Sequence, residues 1–525
     1  MINKLKLENG KFDKYIINKI AKFPKPIVFS ILIICLISFL FKLYILPYDV
    51  PITLDAAGYF WYATDMKILH EFPTNFKYPN NGWPVFLSLF YSLSNSDYFL
   101  DYMNLQRFLS VSISIITIPL VFLICKRFVP TNYALIPTII FAFEPRILLN
   151  SVLGITEQLF VLLISCMLLF FFQKKSYYVY ASFAATAFCA IIRYEGILLF
   201  VPLTVAFFIK YRERKSIIKY LIALSIFALI IIPTAYIRTE TVGQDGLVSH
   251  VSAGAGYYQH IAESGDKGIE NLIKLFEKGF KNLIIYSGWI LIPIFLFFVP
   301  LGIFTIIKNR NSDIVIIFLF TITLLIPLFY AYTRDIQETR YFLSLYPIFC
   351  IFSGFAIKKI LDKSNLKIII SIIMIFGIIL SSFIFIDYKK IDTKEEIYSY
   401  EIAKIITNIA SGTNDLSYVT KYYSASILND QEYPILKEKS VILEPKIISL
   451  NQFENMEEIM ISGKEMGLTH LILDGKDKNL FLNDIFFQSK NYPHLIEYTN
   501  MPTNESHLKI RIFKVNYEKF NNIQK

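Results

Sequence analysis

Residues 26–46 read PIVFSILIICLISFLFKLYIL, an apolar run of the length, about 20 residues, that crosses a bilayer as a single helix. A long basic stretch precedes it, with Lys4, Lys6, Lys11, Lys14, Lys19, Lys22 and Lys25. No small-residue cleavage site follows. A removable leader has a shorter apolar core and such a site, so the run is expected to be a retained first transmembrane helix.

The same pattern recurs along the chain. Runs at 106–125, 133–149, 156–172, 177–193, 196–210, 217–236, 283–307, 314–332, 341–357 and 367–387 bring the candidate spans to eleven. Composition agrees, since 54% of the 525 residues are hydrophobic and 18% are charged, against roughly 25% charged in soluble domains. The 48 Phe and 34 Tyr suit a chain facing lipid and its interfaces. A net charge of +10 can mark a nucleic-acid binder. Here the basic residues sit where loops meet membrane, so they set orientation instead, and no nucleic-acid partner is expected.

Basic clusters occupy every second loop: Lys126-Arg127, Lys174-Lys175, Lys210 to Lys219, Lys308 to Arg310 and Lys358 to Lys367. The opposite loops are acidic, with Asp49, Asp55, Asp65, Glu71, Asp97 and Asp101, then Glu144 and Glu157, then Glu240 to Glu277. This alternation predicts a multi-pass α-helical protein of the cell membrane, with residues 1–25 cytoplasmic, 26–387 forming the membrane domain and 388–525 extracytoplasmic.

The first outer loop, 47–105, is long. Within it Ala56–Leu69 is patterned as an amphipathic helix, and Gly82–Leu93 is apolar but too short to span. A second outer loop runs from Arg238 to Asn282, with another interfacial helix expected near Ile269–Phe280. In the tail, helical patterns at 393–410, 453–466 and 480–490 alternate with strand-like runs at 416–420, 441–443, 469–473 and 508–515. That predicts a small α/β domain. Asp392 with Glu395 has the spacing of a capping box.

The five cysteines, Cys35, Cys125, Cys166, Cys189 and Cys350, lie in or beside apolar runs, so no disulfide framework is implied. No CxxC, HExxH, phosphate-loop or dinucleotide-binding glycine motif occurs. The six histidines have no convincing ligand spacing, and Asn504-Glu-Ser506 is a sequon too short to carry an argument. No cofactor is required. A divalent cation on outer carboxylates would be compatible, since one ion can neutralise a phosphate leaving group.

Polar groups at membrane depth are expensive, which makes them functional candidates. Asp55, just past the first span, can act as a general base or cap the helix that begins beside it. Glu144 and Glu157 bracket an outer turn, where Thr156-Glu157 also suits a helix start. Arg193 and Glu195 share a third outer turn and can pair with each other. Arg107, Arg334 and Arg340 stand at outer span ends, where they can snorkel or bind phosphate bidentately.

In order and context these features resemble the GT-C membrane glycosyltransferases. The similarity is to the polyprenyl- or dolichyl-phosphate-sugar branch with the protein O-mannosyltransferases and the aminoarabinose transferase. It covers roughly 26–387. Asp55 follows the first helix. Gly82-Trp83-Pro84 stands where relatives carry a Pro-containing motif, and Arg107 opens the second helix. Arg193-Tyr194-Glu195-Gly196 resembles an Arg-Pro-Glu-Gly turn, and the segment from Thr333-Arg334 to Arg340-Tyr341 resembles an Arg-Tyr element before a late helix. The chain departs from relatives in having Ala56, not a second acid, beside Asp55. It also lacks a Trp-Trp-Asp-Tyr-Gly signature, which argues against en bloc transfer to Asn.

The resemblance implies inverting transfer of a sugar, mannose or a related glycosyl, from a polyprenyl phosphate to a hydroxyl of a protein, lipid or glycan acceptor at the outer face. Asp55 would be the catalytic base. Arg107, Glu144, Glu157, Arg193, Glu195, Arg334, Arg340 and Tyr341 would bind substrate or phosphate. The rival readings are a transporter or lipid-linked-sugar flippase and a structural assembly protein. A transporter calls for mid-membrane charges and broken helices in matching halves, whereas the acids here cluster at the outer face.

Overall fold

The computed structural model describes residues 24–389, apart from 53–54, 74–79, 97–98, 174, 213–215, 264–267 and 308–310. In the tail it describes 418–419, 446–447, 455–465, 467–473, 480–497 and 511–523. The lysines before residue 23, the Lys308 to Arg310 cluster, the Asp392–Glu395 cap, the helix at 393–410, the strand at 441–443 and the sequon lie outside the described residues. Two compact units emerge. One comprises Met1–Leu46, Glu71–Leu87 and Gln106–Lys390, the other Pro47–His70, Ser88–Leu105 and Ile391–Lys525.

Every expected apolar run is helical. In chain order the helices up to residue 388 are α1 Lys25–Ile45, α2 Asp55–Leu69, α3 Gly82–Leu93, α4 Phe99–Phe128, α5 Thr131–Phe143, α6 Pro145–Ser151, α7 Glu157–Phe171 and α8 Tyr178–Ile192. They continue as α9 Phe200–Lys210, α10 Ser216–Val242, α11 Val248–Glu263, α12 Gly268–Leu291, α13 Phe295–Ile306, α14 Ser312–Thr333, α15 Tyr346–Asp362 and α16 Lys367–Tyr388.

Among the described residues six helices are long and apolar enough to cross, or up to eight if each of two bent pairs is one span. At about 1.5 Å per residue, the 15 residues of α7 or of α8 reach roughly 22 Å, short of a core of about 30 Å. Apolar composition marked these segments correctly; where their polar ends interrupt the helix decided their length.

One bent pair shows how a break is made tolerable in an apolar surrounding. Helices α5 and α6 meet at 49°. Glu144, fully buried, accepts the backbone N–H of Arg146 at 2.7 Å and of Ile147 at 3.1 Å. In an unbroken helix those N–H groups would bond the carbonyls of Ala142 and Phe143. The released carbonyls accept hydroxyls instead, Ala142 from Ser38 of α1 at 2.9 Å and Phe143 from Ser382 of α16. Arg146 donates to the carbonyls of Trp289 (2.6 Å) and Ile292, at the 110° bend between α12 and α13. The backbone polar groups freed at both bends are thus met by side chains, as a dry environment demands.

Packing elsewhere uses small residues. A Cβ on Gly302 of α13 would lie 1.9 Å from the carbonyl oxygen of Phe352, so α13 and α15 touch backbone to backbone. At one end of this unit, Arg127 pairs with Asp313 at 3.6 Å, and Lys210 donates to the carbonyls of Phe171 and Gln173. The ends of α4, α7, α9 and α14 therefore meet there. The residues treated below sit at the opposite ends of these helices.

In the second unit, Lys67 of α2 donates to the Tyr102 hydroxyl at 2.7 Å and to the Ser94 carbonyl at 3.2 Å. Phe60 and Tyr102 flank the Tyr91 ring at 5.9 and 5.3 Å. The tail contains β1 Tyr418–Val419 parallel to β2 Lys446–Ile447, and an antiparallel sheet in the order β3 His470–Leu473, β5 Arg511–Val515, β4 Leu495–Glu497. Helices α17 Met456–Glu465 and α18 Leu480–Phe487 contribute Ile459, Met460 and Ile485 to a core with Leu471 and Phe513. Helices α17 and α18 and strands β3 and β5 fall within the tail runs expected as helix or strand, while β4 lies outside them.

Candidate active site

Helix α8 stops at Ile192 because the chain turns extended at Arg193, with φ −141° and ψ 122°. A 3₁₀ turn, Tyr194–Leu199, follows. Gly196 lets this turn sit on the last turn of α8, since a Cβ there would meet the Cys189 carbonyl carbon at 2.5 Å and its oxygen at 2.6 Å. The turn presents Arg193 to the start of α7. Its Nη1 donates to Glu157 Oε1 at 2.8 Å and to Thr156 Oγ1 at 3.2 Å. Its Nε and Nη2 both reach Glu195 Oε1, at 2.7 and 2.6 Å. Residue Arg193 is only 8% exposed, so these charge-assisted bonds are shielded from water.

A second 3₁₀ turn, Thr339–Leu345, supplies Arg340 and Tyr341. Arg340 Nε stands 3.8 Å from Glu157 Oε1 and 3.8 Å from Glu338, looser pairs than those of Arg193. The Tyr341 ring lies between the two guanidiniums, 5.4 Å from Arg193 and 5.7 Å from Arg340. These groups line an open cleft of ≈ 440 Å³ whose deeper wall is apolar, with Val161, Leu324, Pro327 and Leu328. The result is a charged rim over a hydrophobic slot, where Arg193 is bonded to Glu157, Thr156 and Glu195.

Five of the residues expected from sequence thus meet: Glu157, Arg193, Glu195, Arg340 and Tyr341. Three others in the same unit do not line this cleft. Glu144 caps α6 at a helix break and faces Arg146 at 3.4 Å. Arg107 is buried in α4, next to Gln106, whose amide donates to the Gly154 carbonyl at 2.7 Å. Arg334 caps α14 and packs against Tyr257 and Tyr330. Asp55 is the first residue of α2, where a carboxylate complements the helix dipole, and belongs to the second unit.

Sequence reasoning missed three supports of the cluster. Thr156 suits a helix start, and its hydroxyl also accepts from Arg193. Asn80 accepts the Tyr194 N–H at 3.2 Å. His250 packs its ring 5.5 Å from that of Tyr194. A proline at position 194 could not make the bond to Asn80, having no N–H. Among the described residues no three His, Cys, Asp or Glu gather as metal ligands. The acids of the cleft face arginines.

Short helices, buried ion-paired turns at one end and paired broken helices define a multi-pass helical membrane protein with a built polar site. No protein-family model and no curated protein matches the chain. Among solved structures it is similar to the oligosaccharyltransferase AglB of Archaeoglobus fulgidus, in complex with an inhibitory peptide and a dolichol-phosphate. The TM-score is 0.55 at 11% identity, over 93% of this chain and 74% of that one. It is also similar to ArnT of Cupriavidus metallidurans bound to undecaprenyl phosphate, at 0.52 and 9% identity, over 92% of this chain and 97% of that one. At such identities the likeness is one of fold alone.

Proposed function

We propose that this chain is an inverting glycosyltransferase that moves a sugar from a polyprenyl-phosphate donor to an acceptor hydroxyl at the outer face of the membrane, with its N-terminus cytoplasmic and its tail extracytoplasmic. The observation that carries the reading is the cleft described above, with two arginines at its rim and a hydrophobic slot beneath. A lipid phosphate has that same division between anionic head and apolar chain. Both similar structures were solved with a polyprenyl-type phosphate, which supports the class of donor.

In this mechanism the acceptor oxygen attacks the anomeric carbon while the bond from that carbon to the phosphate oxygen breaks. Asp55 takes the acceptor proton as general base, a role worth about 10²–10⁴ in rate. Arg340 balances the charge that grows on the departing polyprenyl phosphate. Arg193, already saturated by Glu157, Thr156 and Glu195, holds the cleft in shape. Tyr341 and Glu157 orient the sugar. Arg107 and Arg334 are assigned to substrate binding away from the leaving phosphate. Mannose or a related glycosyl is the expected cargo, and a protein, lipid or glycan is the expected acceptor.

The test is Asp55→Asn in lipid nanodiscs, with release of polyprenyl phosphate from a labelled lipid-linked sugar as the readout. A drop of about 10²–10⁴ with unchanged thermal unfolding is expected. Wild-type turnover in the variant removes Asp55 from the mechanism. A protein that moves labelled lipid across the bilayer but releases none of its sugar is a flippase.

A further inference from the structure

We propose that the cleft at the Arg334 end of α14 is a second carbohydrate subsite, one that takes an acidic sugar of a glycan acceptor. This rests on the proposed sugar transfer and narrows its acceptor class.

Past Thr333 the chain reverses at Asp335, whose φ of 63° is left-handed, a conformation aspartate tolerates better than most residues. The reversal leaves an open cleft of ≈ 610 Å³, lined by Tyr257, Lys274, Lys278, Thr333, Arg334 and Asp335 among others. The Arg334 guanidinium lies 5.3 Å from the Tyr257 ring and 5.5 Å from the Tyr330 ring, and it donates to the Tyr330 hydroxyl at 3.1 Å. Lys278 pairs with Asp335 at 3.1 Å, and Lys274 with Glu270 at 2.5 Å. The lining carries three cations and one anion.

That inventory fits a sugar acid. Tyr257, 36% exposed, offers a ring face to the C–H side of a pyranose. Asp335 and Lys278 suit its hydroxyls. Arg334 offers the planar fork that receives a carboxylate, and the stacked tyrosines keep that fork oriented. The Tyr258 ring joins these two tyrosines, 5.7 Å from Tyr257 and 5.7 Å from Tyr330, and completes an aromatic wall beside Arg334.

The experiment measures binding to the full-length chain in nanodiscs of neutral lipid, with a galacturonic-acid trisaccharide and its carboxyl-reduced neutral counterpart as probes. The wild type should bind the acidic trimer about tenfold more tightly, the scale of one charge-assisted bond. The double variant Arg334→Gln, Lys278→Gln should lose that preference and keep weak binding of the neutral trimer, while Arg340→Gln keeps the preference. Equal binding of the two trimers by the wild type overturns the proposal, as does an intact preference in the double variant. Complete displacement of the acidic trimer by phosphatidylglycerol in the disc also overturns it, making the cleft a lipid headgroup site. The assay needs no turnover, so acid preference without any sugar release would leave this inference standing and sink the transfer reading alone.

Discussion

Replacing Arg193 with glutamine removes the cation that two carboxylates share. Glu157 and Glu195 have side chains only 5% and 12% exposed, and Arg193 binds them at 2.8 and 2.6 Å. Deleting one partner of a buried pair costs about 3–5 kcal/mol, because the remaining charge is left without compensation. Arg340, 3.8 Å from Glu157, offsets part of this, so the lower end, about 3 kcal/mol, is expected. Arg193→Lys keeps the charge but cannot serve Glu157, Thr156 and Glu195 together, and should cost roughly half as much, about 1.5 kcal/mol, the scale of one charged hydrogen bond. Denaturant unfolding in nanodiscs at pH 7, followed by Trp and Tyr fluorescence, measures all three proteins. A glutamine variant within about 0.5 kcal/mol of wild type, the range of ordinary surface changes, would refute the view that this arginine holds the cleft together.

Two further outcomes follow from other parts of the fold. Gly196→Ala drives a methyl into the Cys189 carbonyl, and overpacking of that kind costs about 1–3 kcal/mol, so its unfolding midpoint should fall even with every charged group retained. Asp65, in α2, has its carboxyl pushed up to about 6 by burial. A folded-state value above the unfolded one, about 3.9, means stability is fully present below about pH 4 and is lost as pH rises through 6. Asp65→Asn should therefore melt above wild type at pH 7 and equal it near pH 4; an equal gain at both values would show that burial of the charge is not the cause.

Much of the site could be seen before folding was considered. Arg193, Glu195, Glu157, Arg340 and Tyr341 were conspicuous because charge beside an apolar run is costly, and three of them lie within two short turns, with Arg193 capping the first. Glu144 was equally conspicuous for the same reason and does not line this cleft. Its carboxylate takes up the N–H groups freed by a break, a role visible only once Ser38 and Ser382, from helices far along the chain, are seen on the released carbonyls. Asn80 lies 114 residues from Tyr194, and no local pattern could have joined them.

What the sequence alone determined is the solvent this protein lives in and the places where its chain must be helical, because lipid accepts backbone only when its hydrogen bonds are closed within the helix. It also marked the polar turns at the helix ends. Tertiary structure decided how far each apolar run continues as helix and which of the marked charges share a cleft. Those outcomes depend on which carbonyls, hydroxyls and guanidiniums meet across helices, and periodicity along one strand of residues carries no record of that.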